Sequence, residues 1–260
     1  MDERNGPSLI RDGETADDIL GGRFRVIQRK GGYRFSVDAL LLAHFVGPGK
    51  KGRILDLGTG SGIIALLLCQ LRPGSHLVGI EIQPPMADMA RRSLALNHQN
   101  RDVEILTGDI RQIEDLVTGH TFDVAVANPP YRRLHSGRIN PESEKAQARH
   151  EISGSLDDFL KAAAYALKPG GRLYLIYPAR RMVELICRMR QNRLEPKRCR
   201  IVHSAPEARG EFILAEGIAG GREEMAVAPP LYIHDQKGRY SDAMTALFND
   251  LASSPDAGGG

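Results

Sequence analysis

From Arg53 onward, short apolar runs alternate with longer stretches whose apolar positions recur every three or four residues. The runs at Arg53–Leu57, 76–82, Val103–Thr107, 121–127 and 172–177 are bounded by Gly, Pro or Asp, and predict strands. The stretches between them predict helices over 62–71, over 84–97 with Pro84 or Pro85 in the first turn, and over 156–167. Upstream, 23–28 alternates like a strand behind the turn Gly21-Gly22, and 17–20 pairs with it as a hairpin. Ser36 is a predicted N-cap for a helix over Val37–Val46, which Gly47-Pro48-Gly49 ends. Strand–helix alternation calls for a parallel sheet covered by helices on both faces. Ligands of such sheets bind beyond the carboxyl ends of the strands, where Asp56, Glu81, Asp109 and Asn128 all fall.

Composition narrows the class. With 42% hydrophobic and 26% charged residues in 260, the chain is neither disordered nor fibrous. No apolar stretch approaches the roughly 18 residues of a bilayer span, and the acidic, polar start is unlike a signal or transit peptide. A cytoplasmic protein without membrane contact is expected. Cys69, Cys187 and Cys199 are scattered, form no Cys-x-x-Cys pair and read as small hydrophobes; no metal centre is expected. The domain reading is a loose tail over 1–16, one domain over 17–252 and a disordered tail over 253–260. Within the domain lie an extension (17–50), a core (51–220) and a closing strand and helix (221–252).

The net charge of +3 conceals an asymmetry: residues 1–18 carry six acids against Arg4 and Arg11, so the body is more basic than the total. Its cations cluster at Arg23 to Arg34, at Arg132 to Arg149 and over 180–200, where Arg and Lys outnumber Glu by eight to two. Each cluster is a solvated surface or a phosphate-binding one.

The chemistry concentrates at two loops. Asp56-Leu57-Gly58-Thr59-Gly60-Ser61-Gly62 joins the first core strand to its helix, and its alternating glycines suit a backbone turning tightly against a ligand. A dinucleotide fingerprint would need glycine at 63, where Ile63 stands. Asp56 would repel a pyrophosphate but attract an ammonium group. Glu81 is placed to accept hydrogen bonds from two ribose hydroxyls, and Asp109 to read an adenine amino group. The second loop, Asn128-Pro129-Pro130-Tyr131, follows the apolar run at 122–127. It sets a carboxamide, a carbonyl between two rigid rings and an aromatic face at a strand end. A conjugated NH2 has a delocalised lone pair and attacks poorly unless acceptors hold its hydrogens and stabilise the developing charge. The Asn128 side-chain oxygen and the Pro129 carbonyl are candidate acceptors, and Tyr131 a candidate stacking surface.

In this order, the glycine loop, the strand-end acids and Asn-Pro-Pro-Tyr resemble the class I S-adenosylmethionine-dependent methyltransferases that act on conjugated amines, over residues 33–220. The resemblance implies an α/β, Rossmann-like fold: a seven-stranded, mostly parallel sheet with helices on both faces, its last strand antiparallel, and Leu194–His203 and 212–219 as the final two strands. It implies S-adenosylmethionine held by Asp56, Gly58, Gly60, Gly62, Glu81, Ile82, Asp109, Ile110 and Asn128, with Asn128, Pro129 and Tyr131 catalytic. The segments QRKGGYRFSVDALLL (28–42) and AQARHE (146–151), and the tail 230–235 with Tyr240-Ser241, are similar to bacterial tRNA adenine-N6 methyltransferases that modify an adenine beside the anticodon of valine tRNA. That similarity makes Arg34, Arg132, Arg133 and Arg149 candidate substrate contacts and tRNA, not DNA, the expected partner. Glutamine N5 methylation of a protein and a non-catalytic RNA-binding module are the alternatives.

Overall fold

The computed structural model describes residues 9–31, 37–99, 101–130 and 154–253. Seven long strands build the sheet: β3 (Arg53–Leu57), β4 (His76–Glu81), β5 (Val103–Thr107), β6 (Phe122–Ala127), β7 (Leu167–Pro178), β8 (Leu194–His203) and β9 (Gly210–Ala219). They lie in the order β8-β9-β7-β6-β3-β4-β5, with β9 antiparallel to both its neighbours and the others parallel. The expected sheet is therefore present. Two short strands, β10 (Ala226–Val227) and β11 (Leu231–Tyr232), pair in parallel with β8 and bring the sheet to nine strands among the described residues. Their two-residue lengths leave no periodicity to read in sequence.

Successive strand residues point to opposite faces, and both faces are dry. Ile54, Leu77, Val124, Val126, Tyr174 and Ile176 pack beneath α1 (Val37–Val46), α2 (Ile63–Leu71) and α3 (Pro84–Leu96), joined by α7 (Asp242–Ala252). Leu55, Leu57, Val78, Ile80, Ala125, Ala127, Leu173 and Leu175 pack on the other side against α5 (Leu156–Ala166) and α6 (Met182–Gln191). A short helix α4 (Ile113–Leu116) follows a 3-10 turn over 110–112. α1 is apolar nearly all round because sheet, α2 and α7 surround it. Ser155 and Asp158 form a reciprocal capping box that starts α5 below the glycine loop.

The N-terminal hairpin, β1 (Glu14–Ile19) with β2 (Phe24–Arg29), lies on α3, where Ile27 N donates to Ser93 Oγ at 3.0 Å and Arg25 N to Asn97 Oδ1 at 2.9 Å. A loose tail through residue 16 is therefore incorrect for 9–16. Arg92 forks onto Glu14 at 2.6 and 2.7 Å, onto Asp88 at 3.0 Å and onto the Leu9 carbonyl at 2.6 Å, and Arg11 closes on Asp88 at 2.7 Å. Glu14, one of the acids that made this stretch look solvated, meets its counter-charge 78 positions away. The Arg92 and Glu14 side chains are each 10% exposed, so removing one strands the other's charge away from water. Arg92→Leu is expected to cost about 3 kcal/mol of stability in a urea titration. Hydrogen bonding from Arg92 holds the Glu14 carboxyl below its ordinary value. Its contribution is therefore present above the unfolded-state pKa and lost as pH falls through the lower folded one.

Candidate active site

Register aligns the reactive positions along one sheet edge. Asp56 pairs with Val126 and Gly79, and Leu57 with Ala127 and Ile80, which sets Gly58, Glu81 and Asn128 side by side where the strands end. Glu81 in turn pairs with Thr107, one residue before Gly108. Alternation then selects the face: Asp56, Glu81 and Asn128 share the parity of Ile54, Leu77 and Val126, the side covered by α1, α2 and α3.

The loop from β3 to α2 is tied to β4. Gly58 N and Thr59 N both donate to the Ile80 carbonyl, at 2.9 and 3.0 Å, and Gly60 N donates to Glu81 Oε2 at 3.0 Å. Gly58 has φ +72°, and a Cβ there would sit 3.1 Å from the Phe159 ring of α5. Gly62 caps α2 at φ +85°, and a Cβ there would come within 3.2 Å of Ala90 of α3. Both positions need a left-handed backbone and a bare Cα, so glycine is required for geometry before any ligand is considered.

Asp56 is fully buried. Its Oδ2 accepts from the Thr59 hydroxyl at 2.6 Å, while Oδ1 is buried with no hydrogen-bond partner. Burial, reinforced by the charge of Glu81 and opposed by the Thr59 hydrogen bond, pushes the carboxyl up to about 7. Burial likewise raises Glu81, against backbone donors Gln83 N at 2.9 Å and Gly60 N. Glu81 thus clamps both glycine loop and α3 entrance, with lone pairs to spare on a carboxylate that accepts about four hydrogen bonds. Asn128 Oδ1 is also buried without a partner. Among the described residues one further side-chain oxygen shares that state, Thr15 Oγ1 in the hairpin.

Buried polar groups are normally satisfied, so two orphan oxygens on one face of one strand edge mark a place built for donors supplied from outside. The set fits S-adenosylmethionine: Asp56 Oδ1 suits its ammonium, the remaining acceptor sites of Glu81 suit ribose hydroxyls, and the bare glycines admit close backbone approach. Asp109 is placed as expected, past β5, but its carboxylate is already engaged. Arg111 donates from its backbone N at 2.9 Å and from Nε at 2.9 and 2.8 Å, and this pairing lowers the Asp109 pKa. Ile82 is half-buried beside Glu81. Ile110 sends its side chain into the core against α5, so only its backbone is left for a ligand. Pro129 is buried next to Asn128. Tyr131, Arg34, Arg132, Arg133 and Arg149 lie outside the described residues.

Sequence reasoning passed over Thr59, Gly79 and Arg111. Gly79 matters because a Cβ there would meet Thr59 Cβ at 3.1 Å, displacing the hydroxyl that holds Asp56. The Asp-x-Arg spacing at 109–111 was readable as a carboxylate bonding the backbone two residues on. The basic stretch at 180–200 is largely spent on structure: Arg181 pairs with Glu184, Arg190 with Glu195 and Glu223, and Arg198 with the buried Glu216, which Arg172 also contacts.

Comparison with known proteins agrees with this geometry. A family model described as a methyltransferase domain matches residues 48–221. A Porphyromonas gingivalis protein named tRNA1(Val) (adenine(37)-N6)-methyltransferase is 33% identical over 235 residues, covering 86% of this chain and 91% of its own. One of the same name from Pedobacter heparinus is 29% identical, over 88% of this chain and 95% of its own. Among solved structures, a predicted O-methyltransferase from Agrobacterium tumefaciens, Atu636, superposes with a TM-score of 0.68 at 24% identity, covering 83% of this chain and 97% of that one. The orphan oxygens, the bare glycine loop and these alignments converge: the chain belongs to the methyltransferase-domain family, in the group whose named relatives are tRNA1(Val) (adenine(37)-N6)-methyltransferases.

Proposed function

We propose that the protein transfers a methyl group from S-adenosylmethionine to the exocyclic N6 amine of an adenine in the anticodon loop of a valine tRNA, the acceptor in its relatives' names. The observation that carries this reading is Asn128 Oδ1, buried at the end of β6 with no donor, on the same face as the unpartnered oxygen of Asp56. S-adenosylmethionine, when bound, supplies an electrophilic methyl on a positively charged sulfur, and the S–C bonding pair leaves on that sulfur as a neutral thioether. Asp56 would hold its ammonium and Glu81 its ribose hydroxyls, on either side of the sulfur, and so fix where the methyl faces. Asn128 Oδ1 and the Pro129 carbonyl accept the two hydrogens of the adenine amine, draw its lone pair out of conjugation and stabilise the positive charge as the N–C bond forms. No dedicated base is required, since the methylated amine cation loses its proton to water. Fixed orientation of nucleophile and methyl carries much of the remaining acceleration.

An adenine in a loop leaves its stack more cheaply than a paired one, which favours an anticodon-loop target over duplex. Incubation of the protein with methyl-labelled S-adenosylmethionine and purified tRNA, followed by nucleoside analysis, is expected to yield N6-methyladenosine. Label in a polypeptide glutamine would instead establish the protein-modifying alternative, and the absence of N6-methyladenosine from every tRNA offered would remove the reading. The place of action that goes with this substrate is the cytoplasm, where tRNA is. Among the described residues no helix is long and apolar enough to cross a membrane.

A further inference from the structure

Strand directions place four otherwise unrelated segments on the reactive edge. β6, β7, β8 and β11 run the same way, so the edge that carries Asn128 also carries the residues after Pro178, His203 and Tyr232, and β9 begins there at Gly210. Arg180, after β7, and Arg209, before β9, are exposed and make no ion pair among the described residues, although the exposed Glu207 and Glu211 flank Arg209. Beyond β8 the turn at 234–240 is held by Asp235, which accepts from the backbone of Lys237 and Arg239 and from the Arg239 guanidinium. That turn presents Tyr240 stacked on His234, ring centres 5.4 Å apart and planes 14° apart. Phe248 of α7 meets Tyr240 edge to face, yet Tyr240 remains 55% exposed. Four strand spacings separate β6 from β11, about 19 Å, the span of a few nucleotides of extended strand.

Resting on the tRNA reading above, we infer that this rim, Arg180 and Arg209 followed by the His234–Tyr240 stack, grips the single-stranded RNA beside the target adenine. The arginines hold phosphates and the aromatic pair stacks a flanking base. Unpaired cations interleaved with an exposed ring are the chemistry that tracks a single strand. The rim also gives a role to the 230–241 segment, which neither cofactor nor amine uses.

The test is tRNA binding and methylation at several salt concentrations. Arg180→Ala and Arg209→Ala are each expected to weaken tRNA binding several-fold and to flatten the log Kd against log salt slope by about 0.7 to 0.9. Tyr240→Ala is expected to weaken binding about 5- to 100-fold, with Tyr240→Phe restoring it because the ring is kept. In all of them S-adenosylmethionine affinity and the single-turnover rate at saturating tRNA stay at the wild-type value. Lys50→Ala with Lys51→Ala, on the opposite sheet edge, serves as the control and should leave binding unchanged. Wild-type affinity and salt slope in the rim variants, or equal loss in the control, would overturn the inference. A wild-type protein that binds no tRNA removes the tRNA reading itself, and this rim with it.

Discussion

Asn128→Ala is expected to slow methyl transfer by about 100- to 1000-fold while changing S-adenosylmethionine affinity by no more than a few-fold. The magnitude follows from the cost of removing one preorganised group aimed at transition-state charge in a water-poor site. The split follows from position: Asn128 sits at the end of β6, one strand from the glycine loop, with Oδ1 buried and unpartnered. An acceptor left unsatisfied in the resting protein costs stability, so its removal should leave the melting temperature unchanged or raise it. That combination, slower chemistry in an equally stable protein, separates a catalytic amide from a structural one. The measurement is a single-turnover experiment at saturating cofactor and tRNA, paired with a calorimetric titration of the cofactor. An unchanged single-turnover rate would show that the amine is not activated here.

How much of this was legible in the chain depended on the distance over which each feature is determined. The sheet and its reactive edge were legible because apolar runs such as 122–127 stop abruptly at Asn128, and 53–55 runs into the acid at 56; periodicity and chemistry coincide locally. The glycine loop was legible for the same reason. What escaped was settled by partners far along the chain. Residues 9–16 look like a solvated acidic end until Arg92 comes back to Glu14. Glu81 reads as a ribose ligand, yet its Oε2 is also the anchor of Gly60, 21 positions away. The basic stretch at 180–200 looks like a phosphate surface, but folding turns Arg198 onto Glu216 and Arg190 onto Glu223, leaving Arg180 as the member facing the reactive edge with no ion pair among the described residues. Local composition reports how many charges exist; only topology reports which of them remain uncommitted.

Asp56→Asn is expected to weaken S-adenosylmethionine binding by about 10- to 100-fold and, in the same protein, to raise the melting temperature of the cofactor-free form at pH 8. The first effect is the loss of a charge-assisted hydrogen bond to the ammonium, worth about 1.5–3 kcal/mol. The second follows from the carboxyl's position near 7, driven there by burial. A folded-state pKa above the unfolded one means the folded form holds its proton more tightly. The stabilisation is then complete below the ordinary carboxyl value and is lost as pH rises towards about 7. Above that, the wild-type protein carries a buried carboxylate with one oxygen unpaired, and the neutral amide does not. Asparagine keeps an oxygen for the Thr59 hydroxyl, so the loop geometry is preserved. The wild-type affinity for S-adenosylmethionine should in turn rise with pH up to about 7, close to tenfold per unit, because pairing with the ammonium requires the ionised form, and then level off. Calorimetric titrations of both proteins from pH 5.5 to 8.5, with melting curves at the same pH values, test all three statements. Cofactor affinity that is unchanged in the variant and flat with pH in the wild type would show that Asp56 holds the loop through Thr59 and takes no part in binding the ammonium.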